Sequence, residues 1–157
     1  MAKGKSPSRS SRTPSRILSG LLWARPCGRP SWIPSSHPRG AAARGLQFEA
    51  KLAAELPGVL HGQWFEFEDR HGRGHCCPDL LLALPGWIVV LEAKLTDTPL
   101  ARRQLTGLYL PIIRKALERK ACGITIVRHI TAGSTLVVDS LPEASSLAKK
   151  GQFPILH

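Results

Sequence analysis

PDLLLALPGWIVVLEAK, Pro78 to Lys94, is the most informative segment of this chain. Leu80 to Leu84 and Trp87 to Leu91 are two short apolar runs rich in Leu, Val and Ile, divided only by the turn dipeptide Pro85-Gly86. That pattern predicts an antiparallel hairpin. With Pro85-Gly86 as a two-residue loop, facing residues have numbers that sum to 171, so Asp79 faces Glu92. Facing residues point to the same side of a sheet with Cβ atoms roughly 4.5–5.5 Å apart. Lys94 stays on that side by the strand period of two. Pro-Gly prefers a type II turn, which fits the strand twist less well than the primed turns do. A slip of one residue sends Asp79 to the opposite face.

The bland alternative is a surface hairpin whose ends carry ordinary charges. Two points oppose it. Asp is depleted in strands, and facing carboxylates repel unless a cation sits between them.

The flanking segments add polar residues at the right places. Gly45 to Leu56 (GLQFEAKLAAEL) reads as an amphipathic helix stopped by Pro57-Gly58, with Leu46, Leu52, Ala53 and Leu56 on one face. Glu49 falls on that apolar face. Downstream, Thr98-Pro99 opens a second helix with an N-cap and a first-turn proline, running through Leu100, Leu108 and Ile112 towards Glu118. Gln104 lies four residues from both Leu100 and Leu108, a polar side chain in the buried stripe. Pro111 removes a backbone donor and is expected to kink or interrupt this helix. Either polar residue alone is more often a satisfied core position than part of a site. Both flank the same pair of carboxylates.

The order of a helix with Glu49, a strand, a strand at Pro78-Asp79, a strand with Glu92-Ala93-Lys94 and a helix with Gln104 resembles the PD-(D/E)XK nuclease superfamily, the restriction-endonuclease-like fold. The likeness runs from about Gly45 to Val127. The run Glu92-Ala-Lys-Leu-Thr followed by Gln104-Leu and Leu108-Tyr-Leu-Pro111 is similar to small phage and prophage nuclease-like proteins. The resemblance implies an α/β core, a mixed β-sheet flanked by helices. Gln63 to Asp69 is then the first strand, the hairpin the second and third, and Gly123 to Arg128 the fourth, with Thr135 to Asp139 as an added edge strand. The helix from Thr98 crosses over to join the third and fourth strands in parallel.

Asp79 and Glu92 are hard oxygen ligands suited to Mg²⁺ or Mn²⁺. The resemblance adds the backbone carbonyl of Ala93 as a ligand and Glu49 as holder of a second metal or of a water. It places Lys94 beside the attacking water and the scissile phosphate, and gives Gln104 the positioning of lysine, water or phosphate. The implied reaction is metal-dependent hydrolysis of DNA phosphodiesters. A homodimer is compatible with the resemblance, though no dimer interface is legible in the sequence.

Composition divides the chain. Residues 1–48 hold nine Lys or Arg and no Asp or Glu, so of a net charge of +11 only +2 belongs to the remainder. Residues 1–40, rich in Ser, Pro, Arg and Gly without hydrophobic periodicity, are expected to be a basic disordered arm, and 41–157 the nuclease-like domain. Only Ile17-Leu18 and Leu21 to Trp23 break the polar pattern, as a helical turn or a docking point. The arm reads as a nucleic-acid-binding element acting through counterion release or as a solvated tail. A transit peptide is less favoured because of its prolines, and a start site set too far upstream gives the same composition.

Cys27, Cys76, Cys77 and Cys122 lack C-x-x-C spacing, and with no signal peptide in view a reduced, cytoplasmic setting in a bacterial or phage-infected cell is expected. His71, His75, Cys76 and Cys77 resemble a zinc cluster only in composition, because Cys76 and Cys77 point opposite ways in a strand. Arg70, Arg73, His71 and His75 are expected on a loop facing DNA, and Arg102 and Arg103 on a basic helix face. The longest apolar stretch is short and broken by Pro-Gly, so no membrane span is expected. Ala144 to Lys150 has the composition of a short helix. The reading from a different class is a non-catalytic DNA- or RNA-binding protein on the same fold, with its affinity in the arm.

Overall fold

The computed structural model describes residues 16–35, 37–96, 98–129 and 133–138. In chain order they form β1 (Trp23–Cys27), α1 (Ala41–Glu55), β2 (Val59–His61), β3 (Trp64–Asp69), β4 (Gly72–Cys76), β5 (Leu80–Leu84) and β6 (Trp87–Lys94). Then come α2 (Pro99–Gln104), a π-helical turn (Leu105–Tyr109), α3 (Leu110–Leu117), β7 (Lys120–His129) and β8 (Gly133–Val138). The strands make two sheets, a mixed one in the order β2-β5-β6-β7-β8 and an antiparallel one in the order β1-β3-β4.

The hairpin has the expected register. Leu80 pairs with Leu91 and Leu84 with Trp87. Gly86 takes φ 76°, the positive φ that the second central position of a type II turn requires. β6 continues to Lys94 and runs parallel to β7, with Glu92 beside Thr125. The helical crossover between them is the expected one, and β8 closes the edge antiparallel to β7.

The hairpin's period of two divides its side chains between two cores. Leu80, Leu82, Val89, Leu91 and Ala93 pack with Phe48, Leu52 and Leu56 on the α1 side. Leu81, Ile88 and Val90 face Leu105, Leu108, Ile112 and Ile113, together with Phe65 and Phe67 of the small sheet. Each fully buried Leu, Ile or Phe contributes about 1.5–3 kcal/mol relative to exposure. At Gly123 a Cβ would lie 2.7 Å from the Leu105 side chain, so the crossover helix rests directly on the β7 backbone.

Four expectations need correction. Trp64–Asp69 is not the first strand of the mixed sheet; it is the middle of the small sheet, and the mixed sheet begins with Val59–His61. Its alternation is as expected, with Phe65 and Phe67 fully buried, but they face across to α3 and the hairpin. Gly72–Cys76 is a strand paired with β3 rather than a loop.

The arm expected through Gly40 is structured over much of its second half. Trp23–Cys27 pairs antiparallel with β3, and Leu18, Leu21 and Ala24 pack on the core, so the docking alternative describes Leu18 and Leu21. Pro26 is tolerated because β1 is an edge strand. Arg16 binds the buried Asp69 carboxylate, which also accepts from the Ser19 and His71 amides at 3.1 and 2.9 Å. Residues 1–15 and the C-terminal segment with Ala144 to Lys150 lie outside the described residues.

The second helix also departs from expectation. Thr98 caps it, its hydroxyl accepting from the Ala101 amide at 3.3 Å. Leu100, expected in the buried stripe, is 52% exposed, and Ala101 and Leu105 are buried instead. The cause lies near Pro111, which lacks an amide for the carbonyl four residues before it. The helix widens into the π turn at Leu105–Tyr109 and restarts at Leu110 with Pro111 in the first turn of α3. A wide turn is one of the few ways to absorb such a break. It resets the phase of the stripe. Among the described residues no helix is long and apolar enough to cross a membrane.

Candidate active site

Asp79, Glu92 and Lys94 meet at the end of the hairpin remote from Pro85-Gly86. Asp79 Oδ2 accepts the Ala93 amide at 2.8 Å and stands 3.6 Å from Lys94 Nζ. Lys94 also pairs directly with Glu92 Oε1. Glu92 is 1% exposed and Asp79 7%. Two carboxylates and an ammonium are therefore gathered on one face in a largely dry setting. What Ala93 visibly brings is its amide, which pins Asp79 against β6.

The electrostatics follow from that burial. Desolvation, then the neighbouring Asp79 charge, push the Glu92 carboxyl up to about 8, against the opposing pull of Lys94. Burial lowers the Lys94 ammonium, but Asp79 and Glu92 outweigh it and hold Lys94 above its ordinary value. Lys94 is thus a persistent cation and hydrogen-bond donor at neutral pH.

Among the described residues Glu92 Oε2 is buried with no hydrogen-bond partner. A buried carboxylate oxygen without a donor is costly. A divalent cation between Asp79 and Glu92 would satisfy it, since carboxylates are the hard oxygen donors that Mg²⁺ and Mn²⁺ prefer. The residues present fit such an ion, although among the described residues no three His, Cys, Asp or Glu side chains form a ligand cluster.

Glu49 comes from the other side. It is 8% exposed in the middle of α1, faces His61 of β2 at 3.6 Å, and its charge is felt at Glu92 and Lys94. Glu49, His61, Pro78 and Asp79 line a cleft of 290 Å³. The same cleft is lined by Arg29, Ile33, Pro34 and Ser35, from the segment expected to be disordered.

Gln104 does not stand alone in its stripe. Its amide donates to the Tyr109 hydroxyl at 2.7 Å. Residues five apart diverge in an α-helix, and the π turn brings these two together. Tyr109 is 5% exposed; burial and then the nearby Glu92 and Asp79 charges push its hydroxyl far up, so it stays protonated. Sequence reasoning missed Tyr109. The available signal was Pro111, which forces a break directly after a Gln and a Tyr five residues apart.

The residues expected to face DNA are dispersed. Arg70 lies at the turn of the β3–β4 hairpin, at the opposite end of β4 from Pro78-Asp79, with its side chain over Gly20. Arg73 stands 3.9 Å from Glu68, whose carboxylate offsets its charge, and His75 lies 4.0 Å from Glu66. Arg102 and Arg103 are exposed on α2. Of the sulfur ligands once grouped with His75, Cys76 is buried in the small-sheet core and Cys77 lines the cleft. Among the described residues no disulfide joins any of the four cysteines. Compared with models of protein families, with curated proteins and with solved structures, the chain matches none of them.

Proposed function

We propose that this chain is a Mg²⁺- or Mn²⁺-dependent deoxyribonuclease on a restriction-endonuclease-like core. The observation that carries the reading is Glu92, buried beside Asp79 and Lys94 with one carboxylate oxygen unpartnered. The order of α1, the hairpin, the helical crossover and parallel β7 supports the fold assignment. A cation would be held by Asp79 and Glu92, with the Ala93 carbonyl as a further candidate ligand.

When bound, the ion supplies Lewis-acid polarisation of the phosphate and a lowered pKa for the attacking water. The chain's own groups do the rest. Lys94, kept charged by two carboxylates, donates to the non-bridging phosphate oxygens as negative charge develops there. The Ala93 amide holds Asp79 in place. Gln104 and Tyr109 lie behind this centre as a hydrogen-bonded pair, in keeping with a positioning role. DNA would enter along the cleft, with Arg102 and Arg103 on an exposed helix face available to its backbone.

The test is cleavage of supercoiled, linear, single-stranded and branched DNA with Mg²⁺, Mn²⁺ or EDTA, for wild type beside Asp79→Ala and Lys94→Ala. Metal-dependent product that disappears in both variants supports the nuclease. Binding without cleavage, unchanged by either substitution, overturns it in favour of a non-catalytic binder.

A further inference from the structure

The loop that walls the cleft carries an aromatic residue with no place in the core. Trp32 is 47% exposed. Arg29 and Ile33, Pro34 and Ser35, on either side of it in sequence, all line the cleft that holds Glu49 and Asp79. The loop is tied to itself, with the Arg29 guanidinium donating to the Pro34 carbonyl at 3.0 Å. Trp32 is braced as well. Its ring meets His75 edge to face, with centroids 5.6 Å apart at 74°, and His75 in turn faces Glu66 of β3.

A half-exposed indole that stands at 74° to its neighbour is not stacked on it, and leaves ring surface open to a flat partner. Every nucleobase has a flat face, but in intact duplex DNA it is covered by its neighbours. Aromatic side chains in basic surroundings are how proteins hold unpaired bases, and one stacked base contributes about 1–3 kcal/mol. The segment that carries the loop is itself basic, with nine Lys or Arg and no Asp or Glu in residues 1–48, while the carboxylates of Glu49 and Asp79 belong to the cleft it lines. We propose that the Arg29–Ser35 loop is a recognition element for unpaired DNA, with Trp32 stacking on an exposed base and Arg29 contacting the backbone that leads into the cleft. The substrate class is then DNA with a single-stranded segment, an end, gap or flap, rather than intact duplex. This rests on the nuclease reading for the role of the cleft.

The experiment separates the two readings by measuring binding and cleavage independently. The full chain, its Trp32→Ala and Trp32→Gln variants and the ring-keeping Trp32→Phe are titrated in EDTA with labelled oligothymidylate and with blunt duplex. Truncation should weaken binding of the single strand by at least about five-fold and leave the duplex within two-fold. Trp32→Phe should recover most of the loss. The same variants with Mg²⁺ should lose cleavage of tailed or gapped DNA through KM, with kcat near wild type. Equal losses on both substrates, or none on the single strand, overturn the inference. If wild type cleaves nothing with either metal while single-strand binding still depends on Trp32, the nuclease reading falls and the stacking role stands. Thermal unfolding of each variant, expected within a few degrees of wild type because the side chain is half exposed, guards against a folding artefact.

Discussion

Asp79 is bound to β6 by a 2.8 Å hydrogen bond from the amide of Ala93, the residue between Glu92 and Lys94. One carboxylate is thereby held across the hairpin from another, 3.6 Å from the Lys94 ammonium. Such an arrangement sacrifices stability for charge concentration.

Asp79→Asn keeps an oxygen that accepts the Ala93 amide but removes the charge that repels Glu92. Without metal, the variant should unfold at the same or a higher temperature than wild type. Addition of Mg²⁺ should raise the wild-type Tm and leave the variant's unmoved, while cleavage falls by about a hundredfold or more. Thermal unfolding with and without Mg²⁺ reads both effects. A wild type that Mg²⁺ does not stabilise contradicts a metal site here.

Glu92 makes the metal-free protein sensitive to alkali. Its carboxyl is raised from 4.5 to about 8 by burial and by Asp79, so the folded state keeps a proton that the unfolded chain has released. Stability from this group is complete below about pH 4.5 and is lost as pH rises towards 8, by no more than a few kcal/mol. Urea unfolding in EDTA at intervals from pH 5 to pH 8.5 should show the decline, and Glu92→Gln should flatten it. Binding of Mg²⁺ at pH 7 should release a proton, measurable by calorimetry in buffers of different ionisation enthalpy.

Asp69 acts in the other direction. Burial pushes its carboxyl up, but Arg16 and the Ser19 and His71 amides outweigh that and hold it below its ordinary value. Its contribution is present above about pH 4 and is lost as pH falls through the lower folded pKa. Asp69→Ala leaves the Arg16 charge and two amides without their acceptor and should cost about 3–5 kcal/mol. Chymotrypsin should then cut near Leu21 and Trp23 faster than in wild type. Unchanged proteolysis would show that Arg16 and Asp69 do not tie the N-terminal segment down.

Tyr109→Phe removes the acceptor of the Gln104 amide and should cost about 1 kcal/mol in chemical unfolding. If the pair positions groups at the carboxylates, Tyr109→Phe and Gln104→Ala should each lower kcat, and the double variant should be no worse than the poorer single one. Additive losses would mean that the two residues act separately.

The features the sequence determined are those governed by neighbours along the chain. A two-residue loop and two apolar runs sufficed for the register from Leu80 with Leu91 to Leu84 with Trp87, and hence for the approach of Asp79 to Glu92 and Lys94. The Thr98 cap and the burial of Glu49 and Leu52 on one face of α1 are equally local, set by periodicity and side-chain chemistry. Only the tertiary structure decided the partners of segments far apart in sequence. Trp64–Asp69 alternates like a strand of either sheet, and alternation does not say which neighbour it takes. Its pairing with Trp23–Cys27 joins a proline-bearing basic stretch to the core, where an edge position and a docked Leu18 and Leu21 offset what composition argues against. The burial that leaves Glu92 Oε2 without a donor, the π turn that brings Tyr109 to Gln104, and the cleft that Arg29 and Ser35 line together with Glu49 likewise depend on how elements stack. Stacking is a property of the whole chain's packing, which no local pattern encodes.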